Sequence, residues 1–166
     1  MTDEGTRRSA GAVADVLVTL VWFALVGVLG AVAWWQLTPL PEATRTAQGA
    51  ALTAVALTGE VAVDGWYVLV ALVGGLLSAL VLMAWRRRDP LLMVVLVTAG
   101  AVVAALVTSR LGRVLGPADP EQVLSGRAEG AQAPIQLVLH ATGAFWVWPL
   151  AAALGALVHL FVLRRD

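Results

Sequence analysis

Four long apolar runs constrain this chain more than anything else in it. The first, VLVTLVWFALVGVLGAVAWW, occupies residues 16 to 35. WYVLVALVGGLLSALVLMAW follows at 66 to 85, LLMVVLVTAGAVVAALVTS at 91 to 109, and ATGAFWVWPLAAALGALVHLFVL at 141 to 163. At about 1.5 Å per residue, a helix of each length crosses a hydrocarbon core of about 30 Å. A backbone in lipid must pair its own N–H and C=O groups, so helices are expected despite the many valines. Four buried helices of a water-soluble domain are the alternative. Of the 166 residues 60% are hydrophobic and 13% charged, which leaves too little polar sequence to cover such a core. The expected fold is an all-α integral membrane protein, one domain over 1–166, with transmembrane helices at about 14–36, 66–85, 91–111 and 141–163.

The arginines orient these spans. Arg86, Arg87 and Arg88 sit in a loop between the second and third runs that is too short for a domain. Arg7 and Arg8 precede the first run, and Arg164 and Arg165 follow the fourth. Four crossings bring all three groups to one side, which the positive-inside rule makes cytoplasmic. Arg45, Arg110, Arg113 and Arg127 fall on the other side. The expectation is therefore a multi-pass protein of the bacterial plasma membrane with both termini cytoplasmic. Arg86, Arg87, Arg88, Arg164 and Arg165 read first as topology anchors and second as contacts for anionic lipid head groups. The first run also resembles a secretory signal, with AVA at 31 to 33 as a cleavage motif. Its apolar stretch exceeds the usual length of about 7 to 15 residues, which favours an uncleaved anchor.

The extracytoplasmic segments run over about 37–65 and 112–140. Pro39 and Pro41 should stop the first helix. ALTAVALTGEVAV, from residue 51, alternates partly with period two and leaves room for a small β-hairpin in the first segment. Asp119 before Pro120 and Glu121 should cap a short helix over 120 to 125. Six acids (Glu42, Glu60, Asp64, Asp119, Glu121 and Glu129) lie on this side and read as a solvated surface, with His140 isolated. Most of the tryptophans near the run ends, and Tyr67, fit interfacial belts.

Chemistry is sparse. Cysteine is absent, so thiolate metal sites, disulfides and thiol catalysis are excluded. Formal net charge is zero, which gives no reason to expect nucleic acid. There is no phosphate-binding glycine loop, HExxH pair or serine elbow, so no catalytic, metal or cofactor residue is expected. Small residues offer helix-packing faces: Gly27 with Ala31, Gly74 and Gly75 beside Ala71 and Ser78, Gly100 with Ala104, and Ala152, Gly155 and Ala156. Pro149 is a candidate kink in the fourth span. Asp15 and His159 are the one candidate intramembrane polar pair, at similar depth if the four-span topology holds.

DGWYVLVALVGGLLSALVLMAWRRRDP at 64 to 90, LGRVLGP at 111 to 117, and API followed by WPLAAALGALVH at 133 to 159 carry a family likeness. Through them the chain resembles an uncharacterised family of small actinobacterial four-span membrane proteins, defined as a domain of unknown function. The resemblance implies an integral plasma-membrane protein and transfers no functional residue. The expected role is non-enzymatic: an accessory or scaffold component of a cell-envelope or transport complex. Expected partners are the lipid bilayer and a membrane protein or second copy of the chain. The alternative is a small proton-coupled transporter or transport module using Asp15 and His159.

Overall fold

The structure is a computed structural model that describes residues 3–52, 54–86 and 89–163, with side chains from residue 11 onward except at 54–57. Helix α1 spans Asp3–Leu37, strands β1 and β2 span Glu42–Thr46 and Gly49–Ala51, and α2 spans Ala54–Trp85. Helix α3 is Pro90–Leu115, α4 is Pro120–Leu124 and strand β3 is Gln132–Pro134. A 3₁₀ turn, Thr142–Trp146, leads into α5, Val147–Val158, which ends in a π turn, His159–Leu163. Among the described residues, four helical stretches are long and apolar enough to cross a membrane, and the chain is a four-span membrane protein.

The spans form a bundle in which α1 packs on α3 and α2, while α5 packs on α2 and α3. Helices α1 and α5 thus stand diagonally and form no seam of their own. Large aliphatic side chains point outward, among them Leu29, Leu91 and Leu150, each more than 60% exposed. In water that surface would drive aggregation; in lipid it costs nothing. Inside lie Phe23, Trp34, Tyr67, Leu82, Met93 and Trp148, all essentially buried.

Local sequence explains the helix ends. Asp89 caps α3, its Oδ1 accepting from the Leu92 N–H at 3.1 Å, and Pro90 opens the first turn. Asp119 does the same for α4, accepting from the Glu121 N–H at 3.0 Å. Pro149 falls in the first turn of α5, where its missing N–H is harmless, so it starts the α-helix after the 3₁₀ turn rather than kinking its interior.

The connections at the far end from the arginine loop form an antiparallel sheet of order β2–β1–β3. The hairpin is not where the alternating pattern of residues 51 to 63 suggested. From Ala54 that stretch is the first part of α2, and the hairpin lies just before it, pairing Thr46 with Gly49. Gly49 takes a φ of 134°, open to glycine at no steric cost, and the Thr46 hydroxyl donates to its carbonyl at 2.8 Å. β3 then joins the second connection to the first, setting Ala43 opposite Ala133. Both alanines are buried, over Leu124, Ile135 and Leu137.

Candidate functional site

At the arginine end, one turn into the apolar part of α1, stands Asp15. Its side chain is only 6% exposed, and its Oδ1 lies 2.9 Å from Nη1 of Arg86, just past the end of α2. The Arg86 guanidinium also sits 5.2 Å over the Trp85 ring. A carboxylate removed from water requires such a counter-charge, and the long arginine stem lets its head remain partly wet. The contact is mainly charge on charge: Asp15 Oδ1 and Arg86 Nε are buried without an aligned hydrogen bond. The Thr19 hydroxyl donates to the Asp15 carbonyl at 2.8 Å, one turn away on the same helix.

The partner of Asp15 is therefore Arg86, not His159. The pairing considered from sequence needs α1 and α5 to be neighbours, and they stand across the bundle. His159 opens the π turn, partly buried, with its Nδ1 enclosed and unpartnered. Arg87, Arg88, Arg164 and Arg165 lie outside the described residues.

Deeper in the bundle, aromatic residues read as an interfacial belt are interior. Trp34, Tyr67 and Trp148 are fully buried, whereas Trp35, Trp85 and Trp146 are exposed. The Trp34 indole donates to the Val63 carbonyl at 2.9 Å, tying α1 to α2, and packs edge-on against Tyr67. Thr108 ties α3 to α1 by donating to the Gly27 carbonyl at 3.0 Å. Small residues fix the closest approaches. A Cβ on Gly27 would lie 3.0 Å from the Ala104 backbone, and one on Gly100 would lie 2.6 Å from the Phe23 ring. Ala31, Ala71, Ala152 and Ala156 are fully buried in the same packing.

At the sheet end, Asp64 accepts from the backbone N–H groups of His140 and Ala141, at 3.0 and 2.8 Å, and so caps the start of the fourth span. The His140 ring is not isolated: it stands 4.0 Å from Glu60 and 3.9 Å from Asp64. A recess of about 270 Å³ opens beside it, with Leu52 and Ile135 in its wall and Glu60, Asp119 and Glu121 around it. Among the described residues, no group of three potential ligands is placed to hold a metal ion.

Two further cavities lie along the α1–α2 seam. The one nearer the sheet, about 340 Å³, is lined by Val26, Leu29, Leu69, Val73 and Trp148 among others. The one nearer the arginine loop, about 360 Å³, is lined by Leu17, Val18, Val21, Trp22, Leu25 and Trp85. These features define a four-span membrane bundle, pinned by an ion pair at one end and covered by a three-stranded sheet at the other. No protein-family model, curated protein or solved structure matches the chain.

Sequence reading missed the role of Arg86 because its place in a basic loop was already explained by topology. One signal was available: Asp15 and Arg86 fall at the same end of adjoining spans, and an acid at that depth calls for a cation. The interior tryptophans carried no comparable signal, since Trp34 and Trp35 differ only in which face of α1 they occupy.

Proposed function

We propose that the chain is a non-enzymatic protein of the bacterial plasma membrane, with its termini and arginine loop cytoplasmic, serving as an accessory or scaffold component of a cell-envelope or transport complex. One observation carries this reading. Polar side chains at membrane depth hold helices together, as Asp15, Trp34 and Thr108 do, while the seam cavities are lined by apolar groups. A transport site needs polar groups converging on a wet cavity; a bundle of this kind works through its surface. Orientation rests on the positive-inside rule. Single cysteines at Gly49 and Gly130 should react with an impermeant thiol reagent in intact cells, and one at Arg87 only after lysis.

The second reading, a proton-coupled transport module, draws on one observation: His159 Nδ1 and Asp15 Oδ1 are both enclosed without a hydrogen-bond partner. The two readings separate in one pair of experiments. Photo-crosslinking from Leu150 and Leu154 in native membranes should trap one discrete protein partner under the first. Solute or proton movement by the purified protein in proteoliposomes, abolished by His159→Gln, would replace it with the second.

A further inference from the structure

Helix α3 ends, beside the sheet, in two arginines without a counter-charge. Arg110 and Arg113 are exposed, α3 contains no acid, and among the described residues neither guanidinium has a salt-bridge partner. The acids nearest in sequence are engaged elsewhere: Asp119 caps α4, and Glu121 borders the His140 recess. Packing sets the rotation of the helix. Thr108 donates to the Gly27 carbonyl, and a Cβ on Gly112 would lie 2.6 Å from the Trp34 ring, so that face turns inward. On the outward face, Val95, Leu106, Arg110 and Arg113 fall within about 60° of one another around the axis. Val95 is 63% exposed and Leu106 45%, so an apolar strip rises along the lipid face and ends at the two cations.

Depth puts the pair at head-group level. From Leu91 to Ser109 the helix rises about 28 Å, close to a hydrocarbon thickness of about 30 Å. Arg110 therefore starts where the phosphates of that leaflet lie. The charge bias that orients the spans does not account for it, because the arginine loop is at the opposite end. The C-terminal dipole of α3 favours a cation there but does not neutralise one. Side chains three residues apart on a helix have Cβ atoms about 5–6 Å apart, near enough for both guanidinium forks to reach one phosphate. We infer that this end of α3 is a binding site for an anionic phospholipid, its phosphate held by Arg110 and Arg113 and one acyl chain lying along Leu106 and Val95. A zwitterionic head group would bring its own cation to two arginines that already lack a counter-charge. A partner helix is the poorer occupant, since close helix contact in lipid relies on small or polar residues, and Val95 and Leu106 are neither.

The chain has no cysteine, so Leu106→Cys carries a single bimane label beside the site. The full-length protein is placed in vesicles of equimolar phosphatidylglycerol and phosphatidylcholine, with bromines on the acyl chains of one lipid or the other. Bromine on phosphatidylglycerol should quench the label more strongly than bromine on phosphatidylcholine. The same label at Leu29, 68% exposed on α1, whose last turn carries no basic residue, should show no preference. Arg110→Gln/Arg113→Gln should lower the relative affinity for phosphatidylglycerol at Leu106 roughly fivefold per arginine removed, the scale of one basic side chain at an anionic surface. Arg113→Gln alone reads one of those steps should the double variant not fold. Equal quenching by the two lipids at Leu106 would overturn the site and leave the arginines to an acid of a partner subunit. So would an equal preference at Leu29, or a preference undiminished in a folded glutamine variant.

Discussion

The α2–α5 seam is closed and the α1–α2 seam is open, though both join long apolar helices in the same solvent. Between α2 and α5 the backbones nearly touch. A Cβ on Gly155 would lie 2.7 Å from the Leu76 carbonyl oxygen, and one on Gly75 would lie 2.7 Å from the Trp148 carbonyl oxygen. Between α1 and α2 the two helices are tied at their ends, by Asp15–Arg86 and by Trp34–Val63, with lipid-facing cavities between. Trp148 of α5 wedges into the middle, where Gly30 and Gly74 make its slot: a Cβ on Gly74 would come within 2.6 Å of the indole. Lipid tails are as apolar as leucine, so burying leucine draws no helices together there. A seam closes where glycine and alanine admit the neighbouring backbone. Where large side chains line it, polar contacts must hold it.

The comparison breaks most readily at Gly155. Valine there meets a carbonyl oxygen and the Ala79 methyl, neither of which rotates away. Gly155→Val should lower stability by about 3 kcal/mol, the upper end of overpacking costs. Reversible unfolding in mixed micelles would measure it. An unchanged unfolding midpoint would mean that α2 and α5 are not in backbone contact.

Unpinning the open seam should cost somewhat less. Arg86→Gln leaves a nearly buried carboxylate without its counter-charge. Complete burial would make the loss about 3–5 kcal/mol; with Arg86 one-fifth exposed, about 2 kcal/mol is expected. Asp15→Asn should cost less, because the freed arginine can extend toward the head groups. The double variant should then be less destabilised than the sum of the singles. Strict additivity in that cycle would show that the two groups do not interact.

These pins also mark where sequence reading stopped. The four spans were legible because lipid imposes a length and a composition on every crossing helix. The short α4 was legible from Asp119 and Pro120, whose capping chemistry is local. The sheet was legible in part: a small hairpin in the first connection was expected and β1–β2 is one, but β1 and β3 are far apart in the chain, and their register depends on the third dimension. Residues 54 to 63 misled because alanines and valines satisfy a loose period of two and a helix equally well. The Asp15–Arg86 contact required knowing which helices adjoin, and apolar periodicity is weak when nearly every face is apolar.

At the other end of the open seam, Trp34→Phe keeps the ring and removes the indole N–H. Its partner, the Val63 carbonyl, loses the 2.9 Å hydrogen bond, and the edge-on contact with Tyr67 remains in reach. A loss of about 1 kcal/mol is expected, typical of one neutral hydrogen bond. Unfolding in the same micelles measures it, and a loss as large as that of Gly155→Val would put the tie at the centre of the fold rather than at its edge.

The smallest effect should come from filling the open seam. Val73 lines the sheet-side cavity on α2 and is 49% exposed, so a larger side chain has space in front of it. Val73→Phe enlarges the residue, as Gly155→Val does, yet it meets a cavity of about 340 Å³ instead of a carbonyl oxygen. Stability should stay within about 0.5 kcal/mol of wild type, as for other surface changes. The added ring displaces lipid tails of similar polarity, so little transfer energy accompanies the extra contact. The two substitutions together separate size from place: both add bulk to a helix face, and only one should unfold the bundle. Should Val73→Phe cost as much as Gly155→Val, the cavity would not exist in the membrane, and the α1–α2 seam would have to be as tightly closed as its counterpart.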